Sequence, residues 1–433
     1  MSRKMTRRTF TRAGAAAVGL AAVSPSRVLG ANDRIRLAFI GVANRGGQLM
    51  RAFMDHSDAE IAALCDVDKK ILAAAAKKVP RSVDTCTDFR KLYDRKDLHA
   101  VVIATPDHWH AIQTIDACQA GLDVYVEKPL SITIREGRAM VRAARRTKRI
   151  VQVGLHRRSS KLYADLAAFI GGGGIGKVSV ARCYRLSNMY PKGIGKSAAG
   201  EPPEHVDWNM WLGPRPVRPY QANIHPYKFR WWQLYSSQVA NWGVHYLDVI
   251  RWATGELAPS SICAMGGKFA VDDDRTIPDT MEVVFEFGSR RLAIFGQYEA
   301  SGNPALASGE IEFRGTQGTI YSSSSSYKIV PERGGQFHSR EPRMKPSEVS
   351  AKAGNRSLTS LHARNFLDCV KSRKRPNADL ETGHRSTTMA LLANISLATR
   401  SRLEWDARRE VITNDAQANR LLHYDYREPW QLR

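Results

Sequence analysis

Three residues combine a reactive side chain with a position next to a predicted strand or helix. Asp66 follows the apolar run Ile61–Cys65, and Lys128 follows the apolar run Val124–Val126. His245 lies in a helical segment, and a histidine exchanges protons readily near neutral pH. Oxidation of an alcohol removes a hydride and a proton together, so a protein that performs it needs a base. Lys128 is the first candidate for such a site, and His245 is the candidate base.

A glycine-rich turn offers a binding site for a pyrophosphate. Ile35–Ile40 is predicted to be a strand, and residues 41–47 connect it to a segment with helical spacing. In a dinucleotide-binding turn the first glycine permits the tight bend, the second position lets the backbone approach the phosphates, and the third allows close packing. The second position here is alanine, the smallest alternative to glycine. The residues predicted to hold the dinucleotide are Gly41, Ala43, Asn44, Arg45 and Gly46.

The residue after the second strand indicates which dinucleotide is bound. A carboxylate there accepts hydrogen bonds from the adenosine ribose and repels a 2′-phosphate. Asp66 occupies this position, so the sequence predicts NAD rather than NADP. The alternative role for Asp66 is an ordinary helix N-cap.

Strands and helices alternate up to about residue 155. Further strands are predicted at Ala100–Ala104 and Val151–Val153, and helices at Ala111–Gly121 and Ile134–Arg146. This order predicts a doubly wound parallel sheet, in which ligands bind beyond the carboxyl ends of the strands. The loops at residues 41–47, 66–69, 105–110 and 127–129 all lie at that edge. They add Thr105, Pro106, Glu127 and Lys128 to the predicted cofactor site.

The 433-residue chain is basic, with a formal net charge of +23 from 65 basic and 42 acidic residues. Residues 1–30 carry six of the basic residues and none of the acidic ones, which leaves 59 against 42, or +17. The alternatives are a polyanionic partner and a generally basic surface. We favour the second because the basic residues are spread along the chain without a nucleic-acid-binding motif. The six cysteines lack metal-ligand spacing and are expected to be buried free thiols, and no metal site is predicted.

Residues 1–30 are predicted to be an export signal rather than part of the fold. Thr6-Arg7-Arg8-Thr9-Phe10 precedes an apolar run from Ala13 to Val23, and small residues precede Ala31. The paired arginines resemble a twin-arginine signal, which implies export of the folded protein to the periplasm. Because the periplasm lacks a free NAD pool, such an enzyme would have to retain its cofactor. A basic tail without a signal function is the alternative.

Two segments carry the most specific family resemblance: Glu127-Lys128-Pro129 after a strand, and residues 241–248, Asn-Trp-Gly-Val-His-Tyr-Leu-Asp. With them the chain resembles the glucose–fructose oxidoreductase, inositol dehydrogenase and MocA (Gfo/Idh/MocA) family. Residues 208–214, 229–232 and 427–430 resemble its secreted, twin-arginine subset. The resemblance implies an N-terminal Rossmann domain at residues 31–155. It also implies an α+β domain at residues 156–433, with a large open, mostly antiparallel sheet that makes the oligomer contact.

The resemblance also implies roles for individual residues. Lys128 would polarise the reacting hydroxyl, and Trp109 and His110 would form part of the nicotinamide pocket. The family pattern has an aspartate four residues before His245, where this chain has Asn241, and Asn241 is expected to hydrogen-bond a substrate hydroxyl. Asp248 is expected to be structural, and His362, Glu381 and His384 receive no role. The candidates for the substrate side are Arg157, Tyr184, Arg230 and Trp232, with Trp231 beside them, and a core position is the alternative for the tryptophans.

The second half of the chain has alternating apolar and polar runs that are typical of half-buried antiparallel strands. Residues 322 to about 358 are polar and are predicted to be a long loop or partly disordered, and helices follow from Ser360 to Arg402. The predicted strands are Val178–Arg185, Ser261–Phe269, Thr280–Phe287, Arg291–Tyr298 and Glu310–Gly315.

Three functions agree with this sequence. The first is an NAD-dependent dehydrogenase that oxidises a hydroxyl of a sugar, glycoside or polyol. The second is a redox-neutral glycoside hydrolase or lyase, which oxidises C3, eliminates the aglycone across the acidified C2–H and then reduces the product. The third is a non-catalytic NAD- or sugar-sensing protein, which would not need both Lys128 and His245. We favour the dehydrogenase, with a carbohydrate as the partner molecule, no nucleic acid, no membrane anchor after signal cleavage, and a homo-oligomeric state.

Overall fold

A computed structural model describes residues 34–351 and 357–433 of the chain. The predicted signal at residues 1–30 lies outside the described residues. Within the two described ranges, no helix is both long enough and apolar enough to cross a membrane.

The first domain is built on a six-stranded parallel sheet with strand order β3-β2-β1-β4-β5-β6. Every neighbouring pair in this sheet is parallel, as the strand–helix alternation predicts. Its elements are β1 (Ile35–Ile40), α1 (Asn44–Met54), β2 (Ala59–Cys65), α2 (Lys69–Ala76), β3 (Asp84–Cys86), α3 (Arg90–Tyr93), β4 (Ala100–Ile103), α4 (His110–Gln119), β5 (Asp123–Val126), α5 (Ile134–Thr147) and β6 (Val151–Val153).

The central strands of this sheet are apolar on both faces because helices cover both of them. All four residues of β4 and all four of β5 are buried. α5 begins at a capping box, in which Thr133 and Glu136 each bond the backbone of the other. This cap fixes the start of α5 a few residues beyond Lys128.

The second domain contains an eleven-stranded sheet in which β7 and β10 are parallel and the other neighbouring pairs are antiparallel. The strands run in the order β15-β14-β13-β12-β7-β10-β9-β8-β16-β17, and β11 pairs with β7. Its elements are α6 (Lys161–Gly171), β7 (Val178–Asn188), α7 (Trp208–Leu212), α8 (Val244–Thr254), β8 (Ser261–Gly267), β9 (Thr280–Phe287), β10 (Arg291–Tyr298), β11 (Ala300–Ser301), β12 (Ile311–Gly315), β13 (Gly318–Ser322), β14 (Ser326–Pro331), β15 (Ser347–Ser350), α9 (Leu358–Ser372), α10 (Leu380–Thr399), β16 (Leu403–Asp406), β17 (Val411–Ile412) and α11 (Ala416–Arg420).

The polar stretch after Ser322 is more ordered than the sequence predicts. β14 pairs with β13, and β15 pairs with β14, so both extend the sheet at one edge. The prediction of a long loop is therefore wrong for these two segments. β15 lies at the edge of the sheet and buries none of its four residues, so its sequence lacks the apolar alternation that predicts a strand.

The late helices pack on both domains. α9 lies on the first domain, where Phe366 meets Phe53 and Tyr125 in edge-to-face contacts at 6.1 and 5.9 Å between ring centroids. α10 belongs to the core of the second domain through residues such as Met389 and Leu392. The predicted helical region divides before Pro376, which cannot continue a helix.

An insert, residues 189–235, connects β7 to the segment before α8 and has a small core of its own. That core includes Trp208, Trp211, Phe229 and Trp232. The insert docks on the loop after β2, where the amide of Lys69 donates to the carbonyl of His205 at 2.9 Å. It therefore covers the carboxyl edge of the parallel sheet.

Candidate active site

A single cleft lies between the carboxyl edge of the parallel sheet and the insert. Its walls include both the glycine turn and the strand end that carries Lys128. The predicted residues that line it are Gly41, Ala43, Asn44, Arg45, Asp66, Thr105, Pro106, Trp109, Glu127, Lys128, Arg230 and Asn241.

The glycine turn has the geometry that a bound pyrophosphate requires. Gly41 has φ +81°, and a Cβ there would lie 2.8 Å from the backbone of Ala104. A Cβ on Gly46 would meet the carbonyl oxygen of Gly41, so Gly46 permits close packing instead of lining the cleft. Ala43 precedes the first turn of α1 and provides no side-chain cap, which leaves the amides at the helix start available to an anion. The residues present fit a dinucleotide.

Asp66 lies at the end of β2, where the adenosine ribose of a dinucleotide is bound in this type of fold. Its carboxylate accepts from the amides of Val42 and Asp68 at 2.9 and 3.0 Å. Burial raises the pKa of Asp66 to about 6, although these two amides favour the ionised form. Asp66 thus braces the glycine turn and also presents a carboxylate to the cleft. The helix N-cap at this point is Asp68, not Asp66.

Glu127 connects the glycine turn to the strand that carries Lys128. Arg45 Nε donates to the Glu127 carboxylate at 2.7 Å, and the amide of Lys128 donates to the same carboxylate at 3.1 Å. Burial opposes the charge on Glu127, but Arg45 and Lys128 outweigh it and lower the pKa of the carboxyl group. Glu127 is therefore a buried, ionised brace.

Lys128 projects into the cleft and donates from Nζ to the carbonyl of Asn241 at 2.8 Å. Burial lowers the pKa of Lys128 to about 8, Glu127 opposes that shift, and Arg230 adds to it. Asn241 lies in a π-helical turn, Val239–Gly243, that precedes α8. Such turns displace carbonyls from the regular helical pattern and occur often at functional sites. The structure thus places Lys128 and Asn241 in contact.

His245 lies one turn beyond Asn241 and does not line the cleft. Its side chain is almost fully buried and packs on His156 with ring centroids 4.9 Å apart. Nδ1 of His245 has no hydrogen-bond partner within the described residues. Burial first, and then the charge of Lys128, lower the pKa of His245 well below its usual value. The imidazole of His245 is therefore neutral and lies behind Asn241.

The loop after β4 contributes Asp107 and Trp109 to the cleft. Burial raises the pKa of Asp107, whose carboxylate accepts a hydrogen bond from Ser236. Trp109 donates from its indole to the carbonyl of Trp211 in the insert at 3.0 Å. His110 is buried beneath the cleft instead of lining it, because its ring joins the carbonyls of Thr105 and Pro129 at 3.0 and 2.8 Å.

Arg230 is the substrate-side candidate that the structure places in the cleft. Its guanidinium donates to the carbonyl of Tyr227 at 2.9 Å and lies 4.0 Å from the centre of the Tyr227 ring. Within the described part of the chain it pairs with no carboxylate. Arg230 therefore faces the cleft as a cation with free donors.

The other four substrate-side candidates do not line the cleft, and Trp231 donates from its indole to the carboxylate of Glu299. Arg157 is buried because it donates to Tyr163 and Glu310 at 2.8 and 2.6 Å. Trp232 belongs to the core of the insert and donates to the carbonyl of Asn223. Tyr184 lies on β7, where its ring packs near Tyr298 with centroids 6.0 Å apart. Because these residues are polar or aromatic, they suggested sugar binding, but their side chains make contacts within the protein instead.

Asp248 and the late-helix residues without an assigned role have structural contacts. Asp248 forms an ion pair with Arg158 at 2.8 Å, as expected for a structural residue. His362 joins the carbonyl of Val153 to Ser159, at 2.9 and 2.7 Å. His384 pairs with Glu410, and Glu381 pairs with Arg138, which holds α5 against α10.

Several cleft residues were not predicted from the sequence as site residues. The insert contributes Met210, Trp211, His225, Tyr227 and Phe229, whose positions depend on how a long connection folds back. Asp107 was visible in the loop after β4, and its position beyond a parallel strand was the available clue.

The cysteines and the possible metal ligands are the remaining reactive groups of the protein. All six cysteines are free, but Cys263 is exposed and Cys86 is half-buried, so the expectation of six buried thiols is wrong. Cys263 is exposed because alternate side chains of β8 face away from the core. Among residues 34–351 and 357–433, no group of three His, Cys, Asp or Glu side chains could hold a metal ion.

Known structures support this description of the fold. A levoglucosan dehydrogenase in complex with NADH and levoglucosan superposes with a TM-score of 0.65 at 16% identity, covering 86% of this chain and 99% of that one. An aldose–aldose oxidoreductase from Caulobacter crescentus superposes with a TM-score of 0.64 at 16% identity, with the same coverage. At these identities the likeness concerns the fold.

Curated relatives match a shorter segment. A glycosyl hydrolase family 109 protein from Shewanella sp. (strain ANA-3) is 32% identical over 146 residues, or 32% of this chain and 30% of that protein. An α-N-acetylgalactosaminidase from Shewanella oneidensis is 34% identical over 123 residues, or 27% of each chain. The matched segment thus spans less than a third of either relative.

Family models cover most of the chain. Residues 35–155 match the oxidoreductase family's NAD-binding Rossmann fold, residues 163–321 match a GFO/IDH/MocA C-terminal domain, and residues 337–432 match the oxidoreductase family's C-terminal α/β domain. All three belong to one family, and they follow the two-domain architecture described above. The chain belongs to the Gfo/Idh/MocA family of NAD-binding oxidoreductases.

Proposed function

We propose that this protein oxidises a hydroxyl group of a sugar, glycoside or polyol, using NAD that it retains through turnover. One observation carries the proposal. The amine of Lys128 lies in the cofactor cleft with a pKa lowered to about 8, in contact with the segment that presents Asn241. An amine that is partly deprotonated near neutral pH is suited to exchange a proton with a bound hydroxyl. The aldose–aldose oxidoreductase and the levoglucosan dehydrogenase, which have a similar fold, support a carbohydrate as the substrate.

In the proposed reaction, NAD supplies the hydride acceptor when bound. The remaining task of the protein is to orient the hydroxyl and receive its proton. Lys128 first donates a hydrogen bond to the substrate oxygen, in place of its bond to the Asn241 carbonyl. In its neutral form, Lys128 Nζ takes the hydroxyl proton as the carbonyl forms. The amide of Asn241 is positioned to bond the reacting or the adjacent hydroxyl.

The local electrostatics favour Lys128 over His245 as the proton acceptor. An imidazolium at His245 would be buried and would be repelled by Lys128, His156 and Arg157. Proton transfer to His245 is therefore unfavourable while Lys128 is charged. We propose that His245 instead supports the π-helical turn that carries Asn241. This revises the role that its residue type suggested.

A redox-neutral glycoside hydrolase is the second candidate function. The glycosyl hydrolase family 109 relatives favour it, although they match only part of the chain. The insert also favours it, because a cofactor enclosed between the insert and the sheet can be oxidised and reduced in place. Both candidates use the same oxidation step at Lys128, and they differ in whether NADH accumulates.

One experiment separates the candidates. Nucleotide released from the purified protein would be identified by mass spectrometry, and the protein would then be given aryl glycosides and free sugars. Lasting NADH absorbance supports the dehydrogenase, and aglycone release without net NADH supports the glycosidase. Bound NAD without turnover on any member of the panel favours the sensing protein. Absence of bound NAD, with no binding when NAD is added, would contradict all three.

We also propose that the protein is exported by the twin-arginine pathway, acts in the periplasm without a membrane anchor and forms a homo-oligomer. The signal-like residues 1–30 support export. Exposed apolar residues such as Met265, Val284 and Leu292, on β8 to β10, support an oligomer contact on the outer face of the sheet. Arg7 and Arg8 replaced together by Lys should abolish export, and light scattering should give more than one chain per particle.

A further inference from the structure

The last residues of the chain cross the boundary between the insert and the first domain. This tail, residues 421–433, has no part in the reaction described above. Its ring at Trp430 meets Trp109 edge-to-face with centroids 4.7 Å apart, and it stacks on Phe89 at 6.4 Å. Trp109 and Phe89 are both cleft residues. Trp430 therefore packs behind the first-domain wall of the cofactor cleft.

A second set of contacts ties the tail to the insert. The guanidinium of Arg427 donates to the carbonyl of Gly213 at 2.7 and 2.9 Å and to the side chain of Asn209 at 2.6 Å. The amide of Arg427 donates to the carbonyl of Pro214 at 3.0 Å. Three residues upstream of Trp430, the tail is thus bonded to the end of α7, beside the cleft residues Met210 and Trp211.

A third contact attaches the tail to the start of α5. The hydroxyl of Tyr426 donates to the buried carboxyl of Glu136 at 2.6 Å. Glu136 also closes the capping box at the start of α5. Arg215 of the insert lies 3.7 Å from the centre of the neighbouring Tyr424 ring. The tail is therefore attached to the first domain through Trp430 and Tyr426 and to the insert through Arg427 and Tyr424.

The cleft is lined by both the insert and the first domain, so separation of the two would open it and release a bound dinucleotide. The direct contacts across this boundary include the bond from Trp109 to the Trp211 carbonyl and the backbone bonds at Lys69 and Asp207. The tail connects the insert to the first domain a second time, through residues outside the cleft. Any opening must break the Arg427 bonds or pull Trp430 away from Trp109. An added connection of this kind lowers the population of the open state.

We propose that the tail is a strap that slows cofactor release, with Trp430 and Arg427 as positioning residues. The inference rests on the proposed function, which requires a retained NAD. It assigns that retention to the end of the chain in addition to the glycine turn. Trp430 is half-buried against the buried ring of Trp109, and loss of this aromatic pair is expected to accelerate opening by about tenfold.

The test measures NAD release from the full-length protein. Wild type, Trp430→Ala, Trp430→Phe, Arg427→Ala and Arg427→Lys would be loaded with NAD, diluted and desalted at intervals, and the remaining nucleotide quantified. Arg433→Ala is the matched control, because the Arg433 side chain forms no hydrogen bond or ion pair with the described residues. We expect release about tenfold or more faster for Trp430→Ala and Arg427→Ala. Trp430→Phe should restore most of the retention.

Activity after dilution gives a second measurement that a purely structural role would not change. Trp430→Ala should lose turnover after dilution and regain it when NAD is added. Equal release rates for wild type and Trp430→Ala would overturn the strap, as would an equal acceleration in Arg433→Ala. If Trp430→Ala does not fold, Arg427→Lys decides between these outcomes. A wild-type protein that binds no NAD under any condition would instead contradict the proposed function.

Discussion

Arg45 of the glycine turn and Glu127 of the strand end form a partly buried ion pair with 2.7 Å between Nε and the carboxylate. The pair joins the predicted phosphate site to the residue that precedes Lys128. Loss of one charge leaves the other without its partner, so replacement of either member is expected to lower the free energy of unfolding. This contact thus sets the glycine turn relative to the strand end that carries Lys128.

Lys128→Met should abolish turnover and leave bound NAD in place. Methionine preserves the volume of the side chain but cannot exchange a proton, and loss of an acid–base group lowers rates by about 100-fold to 10,000-fold. Initial rates and the nucleotide content of the same preparation would be measured together. Unchanged rates would remove Lys128 from the mechanism, and His245→Gln is the comparison, expected to have the smaller effect.

The pH dependence of kcat/KM should follow the pKa of Lys128. If neutral Lys128 is the base, kcat/KM for oxidation rises with pH and levels off above about 8. Glu127 raises this pKa and Arg230 lowers it. Glu127→Gln should therefore move the rise to lower pH, and Arg230→Gln should move it to higher pH. Shifts in the same direction, or none, would show that another group controls the profile.

Asp66→Asn should weaken NAD binding by about 10-fold to 100-fold, the effect of a charged hydrogen bond. It should also reduce the preference for NAD over NADP, because the repulsion of a 2′-phosphate is lost. In the wild type, NAD affinity should fall as the pH decreases through about 6, where Asp66 becomes protonated. Equilibrium dialysis with both nucleotides tests each point. An unchanged preference would place the ribose elsewhere.

Phe366→Ala should destabilise the first domain by about 3–5 kcal/mol, as expected for a buried phenylalanine. The ring lies between Phe53 and Tyr125, although it belongs to a helix near the end of the chain. Leu361→Ala on the same helix is the control, because Leu361 is 37% exposed. It should change the free energy of unfolding by less than about 0.5 kcal/mol. Chemical denaturation of both variants provides the measurement.

The first domain was predictable because its signals are local. The glycine turn, the carboxylate after β2 and the position of Lys128 after β5 each depend on neighbours in the sequence. The insert was not predictable in this way. Arg230 and Trp232 are two residues apart and were both candidates for the substrate side, yet one faces the cleft and the other the core of the insert. Only tertiary packing distinguishes them.

The second sheet gives a similar lesson. β7 to β10 and β12 alternate apolar and polar residues, and the predicted strands correspond to the observed ones to within a few residues. β14 and β15 lie at an edge and lack that contrast, so backbone pairing with β13 determines their structure. The alternation of apolar and polar residues reflects burial, so it gives little information about strands that bury few side chains.

The position of α9 imposes an order on the assembly of the protein. The helix that covers Phe53 and Tyr125 comes from residues 358–372, more than two hundred residues after the last strand of the parallel sheet. A nascent chain on the ribosome therefore exposes that side of the nucleotide-binding domain until nearly the whole protein has been synthesised. This domain is therefore completed only when translation of the chain is nearly complete. A chain truncated before α9 would expose an apolar surface to which chaperones bind.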